Sequence, residues 1–184
     1  MKEKLLIFKD EKLDLKATIS VICSVIVLCG IVGFFYEVIF YKIDLGYFVK
    51  RGSTYGPWIP IYGVGGFFIP IITYRFKKNP LVVFILSCLI TGTLEYFTGM
   101  ALYEIWGIRL WDYNTEIWNW GNVNGYICFR SILCFGLSSL IIIYGAVPLF
   151  IKLSKKVSEN KYLFVSLGLT LIFFLDAMVY LIIK

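Results

Sequence analysis

Five long apolar runs, each bounded by charged or turn-forming residues, constrain this chain more than any other feature of its sequence. A membrane-spanning helix needs roughly 20 mostly apolar residues, and each run is about that long. The runs lie at about residues 18–41, 57–74, 81–102, 125–150 and 162–183. They predict an all-α fold, a polytopic integral membrane bundle of about five transmembrane helices. We expect one transmembrane domain at residues 17–184, preceded by a cytoplasmic flank at residues 1–16.

The composition and the length exclude most soluble functions. Of the 184 residues, 59% are hydrophobic and 16% are charged, whereas about 25% of the residues of a soluble domain are charged. Five spans leave only short loops, with no room for a separate catalytic or nucleotide-binding domain. The sequence also lacks the glycine-rich phosphate loop of P-loop ATPases. Any coupling to ATP hydrolysis would therefore need a separate ATPase subunit.

Two residue types limit the chemistry further. The chain has no histidine, which is the commonest general acid–base group and a frequent metal ligand. Its five cysteines fall within apolar runs and form no Cys-x-x-Cys pair, as is typical of packing residues. We therefore expect no cofactor, no metal and no catalytic residue, and we expect an enzyme less than a binding or transport protein. The net charge of +6 does not indicate a nucleic-acid partner, because the lysines flank apolar segments.

The basic residues lie mainly on one side of the predicted bundle. If alternate loops share a side, the side that holds the N-terminus carries 12 of the 18 lysines and arginines, and the other side carries five. Cytoplasmic loops of membrane proteins are enriched in these residues. This count predicts a cytoplasmic N-terminus and an external C-terminus.

Four ionisable residues interrupt the apolar runs: Glu37, Glu95, Arg130 and Asp176. Each costs about 2.5–3.5 kcal/mol at a helix centre, so such residues usually face a partner or water. Counted at about 1.5 Å per residue, all four lie toward the external side. One guanidinium cannot neutralise two carboxylates. We therefore predict an acidic pocket on the extracytoplasmic side, which would bind a cationic or amine-bearing solute or headgroup.

Two alternatives remain open at this stage. An ion pair between Arg130 and either Glu37 or Glu95 could serve only to hold the bundle together, as in a non-catalytic membrane assembly protein. Two carboxylates could also share acid–base work on a lipid headgroup, as in a membrane-embedded enzyme.

The second run begins with an unusual concentration of proline and glycine. Residues 55–66 contain Pro57, Pro60 and four glycines. Proline inside a helix removes a hydrogen bond and clashes with the preceding turn. Irregular backbone at membrane depth occurs only where protein or a wet cavity covers it. The pattern predicts an irregular start to the second helix, either as the rim of the pocket or as a tight cap on the bundle.

Several motifs carry a family resemblance. They are Glu37, Arg51-Gly52-x-x-Tyr55-Gly56-Pro57-x-x-Pro60-Ile61-Tyr62-Gly63, Leu94-Glu95-Tyr96-x-Thr98, Trp111-Asp112-Tyr113 and Asn124-Gly125-x-Ile127-Cys128. In this order, across about residues 30–150, the chain resembles the ABC-transporter type IV, or CmpB-like, membrane permeases of bacteria. Those proteins often carry a basic residue directly after Asn-Gly, where this chain has Tyr126. Its own basic residue, Arg130, lies about one helical turn later.

The resemblance implies a transport-related protein of the bacterial cytoplasmic membrane. Together with the charge count, it assigns substrate-binding roles to Glu37, Glu95, Arg130, Tyr62, Tyr96, Asp112 and Tyr55. It assigns structural roles to Gly56, Pro57, Pro60, Gly63, Trp111, Asn124 and Gly125. The expected partners are the lipid bilayer, a separate ATPase or membrane subunit, and a second copy in a homo-oligomer. The short inner loops at residues 75–79 and 152–161 favour a membrane protein over a standard ABC permease.

Overall fold

The computed structural model describes residues 6–183, and these form a bundle of helices. The helices are α1 (Leu15–Leu45), α2 (Pro60–Thr73), α3 (Pro80–Trp106), α4 (Phe129–Ile141), α5 (Val147–Ser154) and α6 (Glu159–Ile183). A π-helical segment, Ile142–Ala146, joins α4 to α5, and short 3-10 helices cover Leu6–Glu11 and Tyr74–Phe76. Residues 1–5 of the predicted flank at residues 1–16, and Lys184, lie outside the described residues.

Four helical stretches are long and apolar enough to cross a membrane. They are Leu15–Leu45, Pro80–Trp106, Phe129–Ser154 and Glu159–Ile183. With α2 they make five helical rods, and no strand is assigned between residues 6 and 183. The predicted all-α membrane bundle is therefore confirmed. Helix α2 has 14 residues, or about 21 Å at 1.5 Å per residue, which is less than the roughly 30 Å of a hydrocarbon core.

Local sequence explains where two of the long helices begin and end. The Asp14 side chain accepts a hydrogen bond from the Ala17 amide at 2.8 Å and so caps α1. Asn79 caps α3 in the same way. Both helices end at glycines in the left-handed conformation, Gly46 (φ +83°) and Gly107 (φ +66°), which residues with a Cβ atom rarely adopt.

The second helix starts later than the apolar run suggested, at Pro60 instead of residue 57. The residue before a proline is driven out of the α conformation, and Ile59 is indeed extended (φ −126°, ψ +122°). Its amide donates to the Gly30 carbonyl at 3.0 Å, near the middle of α1. The chain between α1 and α2 therefore folds back into the bundle before α2 begins. The predicted irregular start of this helix is confirmed.

The fourth run is also shorter at its start than predicted. Val123 and Ile127 form an antiparallel bridge around a tight turn in which Asn124 (φ +55°) and Gly125 (φ +76°) are left-handed. The helix therefore begins at Phe129 instead of residue 125 and continues to Ser154. The π-helical segment along its length has a local cause, because Pro148 has no amide hydrogen to continue the regular hydrogen-bond pattern.

Side-chain contacts define two ends of the bundle. At the end that holds the start of α1, Glu11 lies 3.0 Å from both the Tyr74 hydroxyl and the Lys77 amine. Lys16 at the same end donates to Asn160 at 2.8 Å. These contacts join the start of α1 to the turns that follow α2 and α5. We call this the N-terminal end.

The opposite end, which we call the polar end, carries the loops that follow α1 and α3. Tyr41, near the end of α1, donates to Glu116 in the loop after α3. The Tyr55 amide, in the loop after α1, donates to Asp176 near the end of α6 at 3.0 Å. Helices α1, α3 and α6 therefore run toward the polar end, while α2 and the α4–α5 rod run back.

Glycines allow close packing around the middle of α1. A Cβ atom on Gly33 would lie 2.2 Å from the Tyr62 ring of α2, and one on Gly30 would lie 2.5 Å from the Phe173 ring of α6. Trp58 packs against Phe173 edge-on, with ring centroids 5.7 Å apart. These contacts bring α2 and α6 against the middle of α1.

Candidate functional site

Glu95 is the most deeply buried carboxylate of the polar end, with 4% of its surface exposed. The Tyr113 hydroxyl donates to one carboxylate oxygen. The Ser131 hydroxyl donates to the other at 2.8 Å. Helix α3 supplies the acid, while the loop after α3 and the first turn of α4 supply the two donors. Among the described residues, no lysine or arginine forms an ion pair with Glu95.

A second buried carboxylate, Glu116, pairs with Arg130. Arg130 Nη2 lies 2.7 Å from Glu116 Oε2, and the two residues are 9% and 8% exposed. The Tyr41 hydroxyl donates to the other Glu116 oxygen. The guanidinium carbon of Arg130 also lies 4.0 Å from the centre of the Phe40 ring, a cation–π geometry. Both charges are thus held by several groups in an otherwise apolar setting.

The third carboxylate, Glu37, pairs with Arg51 from the loop after α1. Arg51 Nε lies 3.0 Å from Glu37 Oε2. The Arg51 guanidinium stacks 3.6 Å from the centre of the Tyr41 ring, which places this pair beside the Glu116 pair. The alternative in which Arg130 pairs with Glu37 or Glu95 is therefore wrong, because Arg130 pairs with Glu116. Loop residues that span counting does not locate, Arg51 and Glu116, provide the partners.

We call these five charged residues the polar cluster: Glu37, Arg51, Glu95, Glu116 and Arg130. With every member ionised, three negative charges stand against two positive charges. The two arginines are already engaged by Glu37 and Glu116. Glu95 is therefore stabilised by two hydrogen-bond donors and not by a paired cation from the described part of the chain.

Glu37, Glu95, Glu116 and Arg130 line a small cavity of about 30 Å³ at the polar end. Its size is enough for a water molecule or a similarly small polar group, since a water needs roughly 10–15 Å³. Two donors of the Arg130 side chain, Nε and Nη1, are buried without a hydrogen-bond partner among the described residues. We call this space the polar cavity.

A larger cavity of about 220 Å³ adjoins it, between α1, α2, α3 and the α4–α5 rod. Most of its lining is apolar, with Leu28, Ile69 and Phe135 among the side chains. Glu95 and Tyr62 line both cavities and so mark the boundary between them. We call the larger space the apolar cavity. The arrangement presents one buried carboxylate at the end of an apolar chamber.

The remaining residues with predicted binding roles lie at different distances from this boundary. Tyr96 packs its ring against Tyr126, 5.8 Å away, and Asp112 pairs with Arg109 at 2.8 Å in the loop after α3. Tyr55 is exposed. None of Tyr55, Tyr96 and Asp112 lines either cavity. The structure therefore brings together Glu37, Glu95, Arg130 and Tyr62, and leaves these three outside.

The residues with predicted structural roles shape the two loops of the polar end. The loop after α1 is held by Asp176 of α6. This carboxylate accepts hydrogen bonds from the Gly56 amide at 2.8 Å and the Trp58 indole at 2.7 Å. Pro57 lies between these two donors, and Pro60 then starts α2. A Cβ atom on Gly63 would lie 2.7 Å from a ring carbon of Phe173, so this position also needs close packing.

In the loop after α3, Trp111 donates to the Tyr126 carbonyl at 2.9 Å. The left-handed Asn124–Gly125 turn directly precedes Tyr126. This fold also buries Tyr113 beside Glu95. Burial, together with the charge on Glu95, raises the pKa of Tyr113 well above its ordinary value. The phenol therefore stays protonated and acts as a hydrogen-bond donor.

Arg51, Glu116, Tyr113 and Tyr41 are site residues that the sequence patterns did not predict. Two of them had a usable signal, since Arg51 opens the proline-glycine motif and Tyr113 ends Trp-Asp-Tyr. Glu116 had none, because an acidic residue in a polar loop usually faces water. Within residues 6–183, no three His, Cys, Asp or Glu side chains converge as metal ligands would.

Comparison with known families agrees with the motifs. The family model described as "Putative ABC-transporter type IV" matches residues 24–181. The predicted family resemblance is confirmed, and the match extends through most of α6, beyond the blocks that carried it. None of the curated proteins and none of the solved structures is detectably similar to the chain.

Proposed function

The chain belongs to the ABC-transporter type IV family, and from this premise we propose that it is a transport subunit that binds an amine or other cationic group at Glu95. Its helices make it a multi-pass membrane protein, and the description of its family supports a transporter-like role. The binding group, the side from which it comes and the residues that hold it are our proposal.

One observation carries this proposal. Glu95 is 4% exposed and receives two hydrogen bonds, but no cation among the described residues pairs with it. A buried carboxylate without a compensating charge is costly, so it must bind a proton or a cation. An ammonium group supplies both the positive charge and the hydrogen-bond donors that the two oxygens of Glu95 can still accept.

The two ion pairs of the polar cluster support the same assignment. They pair Arg130 with Glu116 and Arg51 with Glu37, so the positive charge of each guanidinium is already matched by a carboxylate other than Glu95. Tyr62 lines both cavities and packs its ring against Phe135, 5.3 Å away. In our proposal the ion pairs are the fixed walls of the site, and Glu95 is its binding group.

We propose that the polar end faces the extracytoplasmic side of a bacterial cytoplasmic membrane. Lysines and arginines are concentrated in the turns of the N-terminal end, including Lys77, Lys78, Lys155 and Lys156. This distribution favours a cytoplasmic location for that end. A separate ATPase is the partner that the family description implies, and it would have to contact the same short turns.

The proposal is tested by amine binding to the purified protein in phosphatidylcholine nanodiscs. Butylamine, octylamine and dodecylamine are added in turn, and the thermal unfolding midpoint is measured. A ligand at 100 times its Kd stabilises a protein by about 2.7 kcal/mol, or about 5–10 °C for a chain of this length. We expect such a rise with at least one amine, and its loss in Glu95→Gln.

The control is Glu104→Gln, on the same helix but exposed and hydrogen-bonded to Tyr126. It should keep the full response to the amine. The proposal is overturned if no amine stabilises the protein, or if Glu95→Gln responds as strongly as the wild type.

A further inference from the structure

We propose that the apolar cavity holds the alkyl chain of a membrane amphiphile whose amine lies at Glu95, and that this ligand enters from the bilayer. The inference rests on the proposed function, because it takes the amine site at Glu95 as its starting point. It adds the class of ligand and the route by which the ligand arrives.

The size and lining of the apolar cavity fit a hydrocarbon chain. The cavity measures about 220 Å³ and is bounded mainly by aliphatic and aromatic side chains. An engineered apolar cavity of about 150 Å³ is large enough to bind benzene. A small hydrophilic cation would leave this volume unfilled, whereas a chain attached to the ammonium group would occupy it.

The apolar cavity also reaches the outer surface of the bundle, about halfway between the two ends of the bundle. Val32 and Ile141 both line it, and they are 55% and 73% exposed on the outside of the bundle. Val32 lies near the middle of α1, and Ile141 lies near the middle of the Phe129–Ser154 rod. Residues at mid-height of spanning helices face lipid tails, so the opening connects the cavity to the hydrocarbon core.

The carboxylate lies where the headgroup of such a ligand would be. Glu95 lines both cavities, so it stands between the apolar chamber and the charged residues of the polar end. A chain that entered between Val32 and Ile141 would point its amine toward Glu95 and its tail toward lipid. An amphiphile with one charged group and one alkyl chain matches this order of apolar and polar surfaces.

A substitution at Gly65 would block the alkyl chain of the ligand without changing Glu95. Gly65 lines the apolar cavity from α2, and a Cβ atom there would meet no other atom within 4 Å. A leucine at this position would extend into the cavity. Gly168 on α6 has the same open space around its Cβ position but does not line the cavity, so Gly168→Leu is the matched control.

The experiment measures the apparent Kd of dodecylamine and of butylamine in phosphatidylcholine nanodiscs for three proteins: the wild type, Gly65→Leu and Gly168→Leu. We expect Gly65→Leu to weaken dodecylamine binding by about tenfold or more and to leave butylamine binding unchanged. Gly168→Leu should match the wild type with both amines, which corrects for their partition into the lipid. Gly65→Ala, which fills less space, serves the same purpose if the leucine variant folds poorly.

The remaining outcomes separate this inference from the proposed function. If Gly65→Leu binds dodecylamine normally while Glu95→Gln does not, the chain lies elsewhere, and only the inference is overturned. If dodecanol stabilises the wild type as well as dodecylamine does, and Gly65→Leu blocks both, the cavity binds chains without an amine at Glu95. That result would overturn the amine site and, with it, the assignment of an amine-bearing amphiphile as the ligand.

Discussion

At the scale of single residues, burial decides how each charge of the polar cluster is stabilised. Glu116 and Arg130 are both nearly inaccessible, and their pairing at 2.7 Å offsets the loss of water around each. Replacing one partner of a buried pair leaves the other without compensation. Replacing both with uncharged residues removes the problem, so the two single changes and the double change should differ in a characteristic way.

We therefore expect Arg130→Met to lower the free energy of unfolding by about 3–5 kcal/mol. The double variant Arg130→Met/Glu116→Gln should recover much of this loss, because glutamine can still accept the hydrogen bond from Tyr41. Denaturant unfolding in micelles measures both. Arg109→Met is the comparison, since Arg109 also forms an ion pair but is partly exposed, and surface pairs contribute little. Equal losses for Arg130→Met and Arg109→Met would contradict the prediction.

Part of this cluster is predictable from position along the helices. Glu37, Glu95 and Arg130 lie on helices, where position along the rod follows from about 1.5 Å per residue, and the structure places all three at the polar end. The pairing was not predictable by that method. Arg51 and Glu116 lie in loops, whose path depends on contacts such as the Ile117 amide with Asp44, 3.0 Å apart.

At the scale of elements, the loop after α3 depends on glycines in two different ways. Gly107 (φ +66°) ends α3, and a Cβ atom there would meet nothing within 4 Å. Gly125 (φ +76°) lies against the loop itself, where a Cβ atom would come within 2.4 Å of Asp112 Oδ1 and 2.7 Å of Arg109 Nη1. These two side chains are paired with each other, so a Cβ atom at Gly125 would have to displace that pair.

Gly107→Ala should therefore lower the free energy of unfolding by about 1–2 kcal/mol, the penalty of a left-handed residue with a Cβ atom. Gly125→Ala should lower the free energy of unfolding by the same penalty and by about 1–3 kcal/mol more, because of overpacking. Thermal unfolding of both variants, compared at equal pH and lipid, gives the difference. Closely similar midpoints would mean that the turn at Gly125 relaxes and does not constrain the loop.

The existence of the helices followed from the sequence more securely than their first residues did. Apolar length is a property of a whole run, so five rods were predictable. The apolar pattern, however, also includes Ile59 and Ile127, which are not helical. Ile59 is extended before α2, and Ile127 forms a bridge with Val123 before α4. Helix starts depend on local backbone effects, such as the extended residue before Pro60, which the run lengths do not contain.

At the scale of the whole molecule, one acidic residue ties together three segments of the N-terminal end. Glu11 lies 3.0 Å from Lys77 and 3.7 Å from Lys155, which belong to the turns after α2 and after α5. The hydrogen bond from Lys77 holds the pKa of Glu11 below its ordinary value, against an opposing effect of burial. A carboxylate with a lowered pKa in the folded state favours folding when ionised.

This contribution should be complete above the unfolded-state pKa of about 4.3 and disappear as the pH falls through the lower folded-state value. We expect Glu11→Gln to lower the unfolding midpoint at pH 7 and to match the wild type at the acid limit. The effect should stay within about 1 kcal/mol, because water screens this partly exposed group. Unfolding midpoints of both proteins across pH 3–7 test it, and a constant difference would contradict the linkage.

The orientation of the whole bundle decides whether the polar cluster lies on the extracytoplasmic side, as we propose. Asn114 at the polar end and Lys156 at the N-terminal end are both exposed, so both are suitable labelling positions. Ser53, in the other polar-end loop, is buried and is therefore unsuitable. In a cysteine-free background, a membrane-impermeant thiol reagent should label Asn114→Cys in intact cells. It should label Lys156→Cys only after the membrane is permeabilised. Basic turns held on the cytoplasmic side require this order of labelling, and the reverse order would place the polar end on the cytoplasmic side and contradict the proposed orientation.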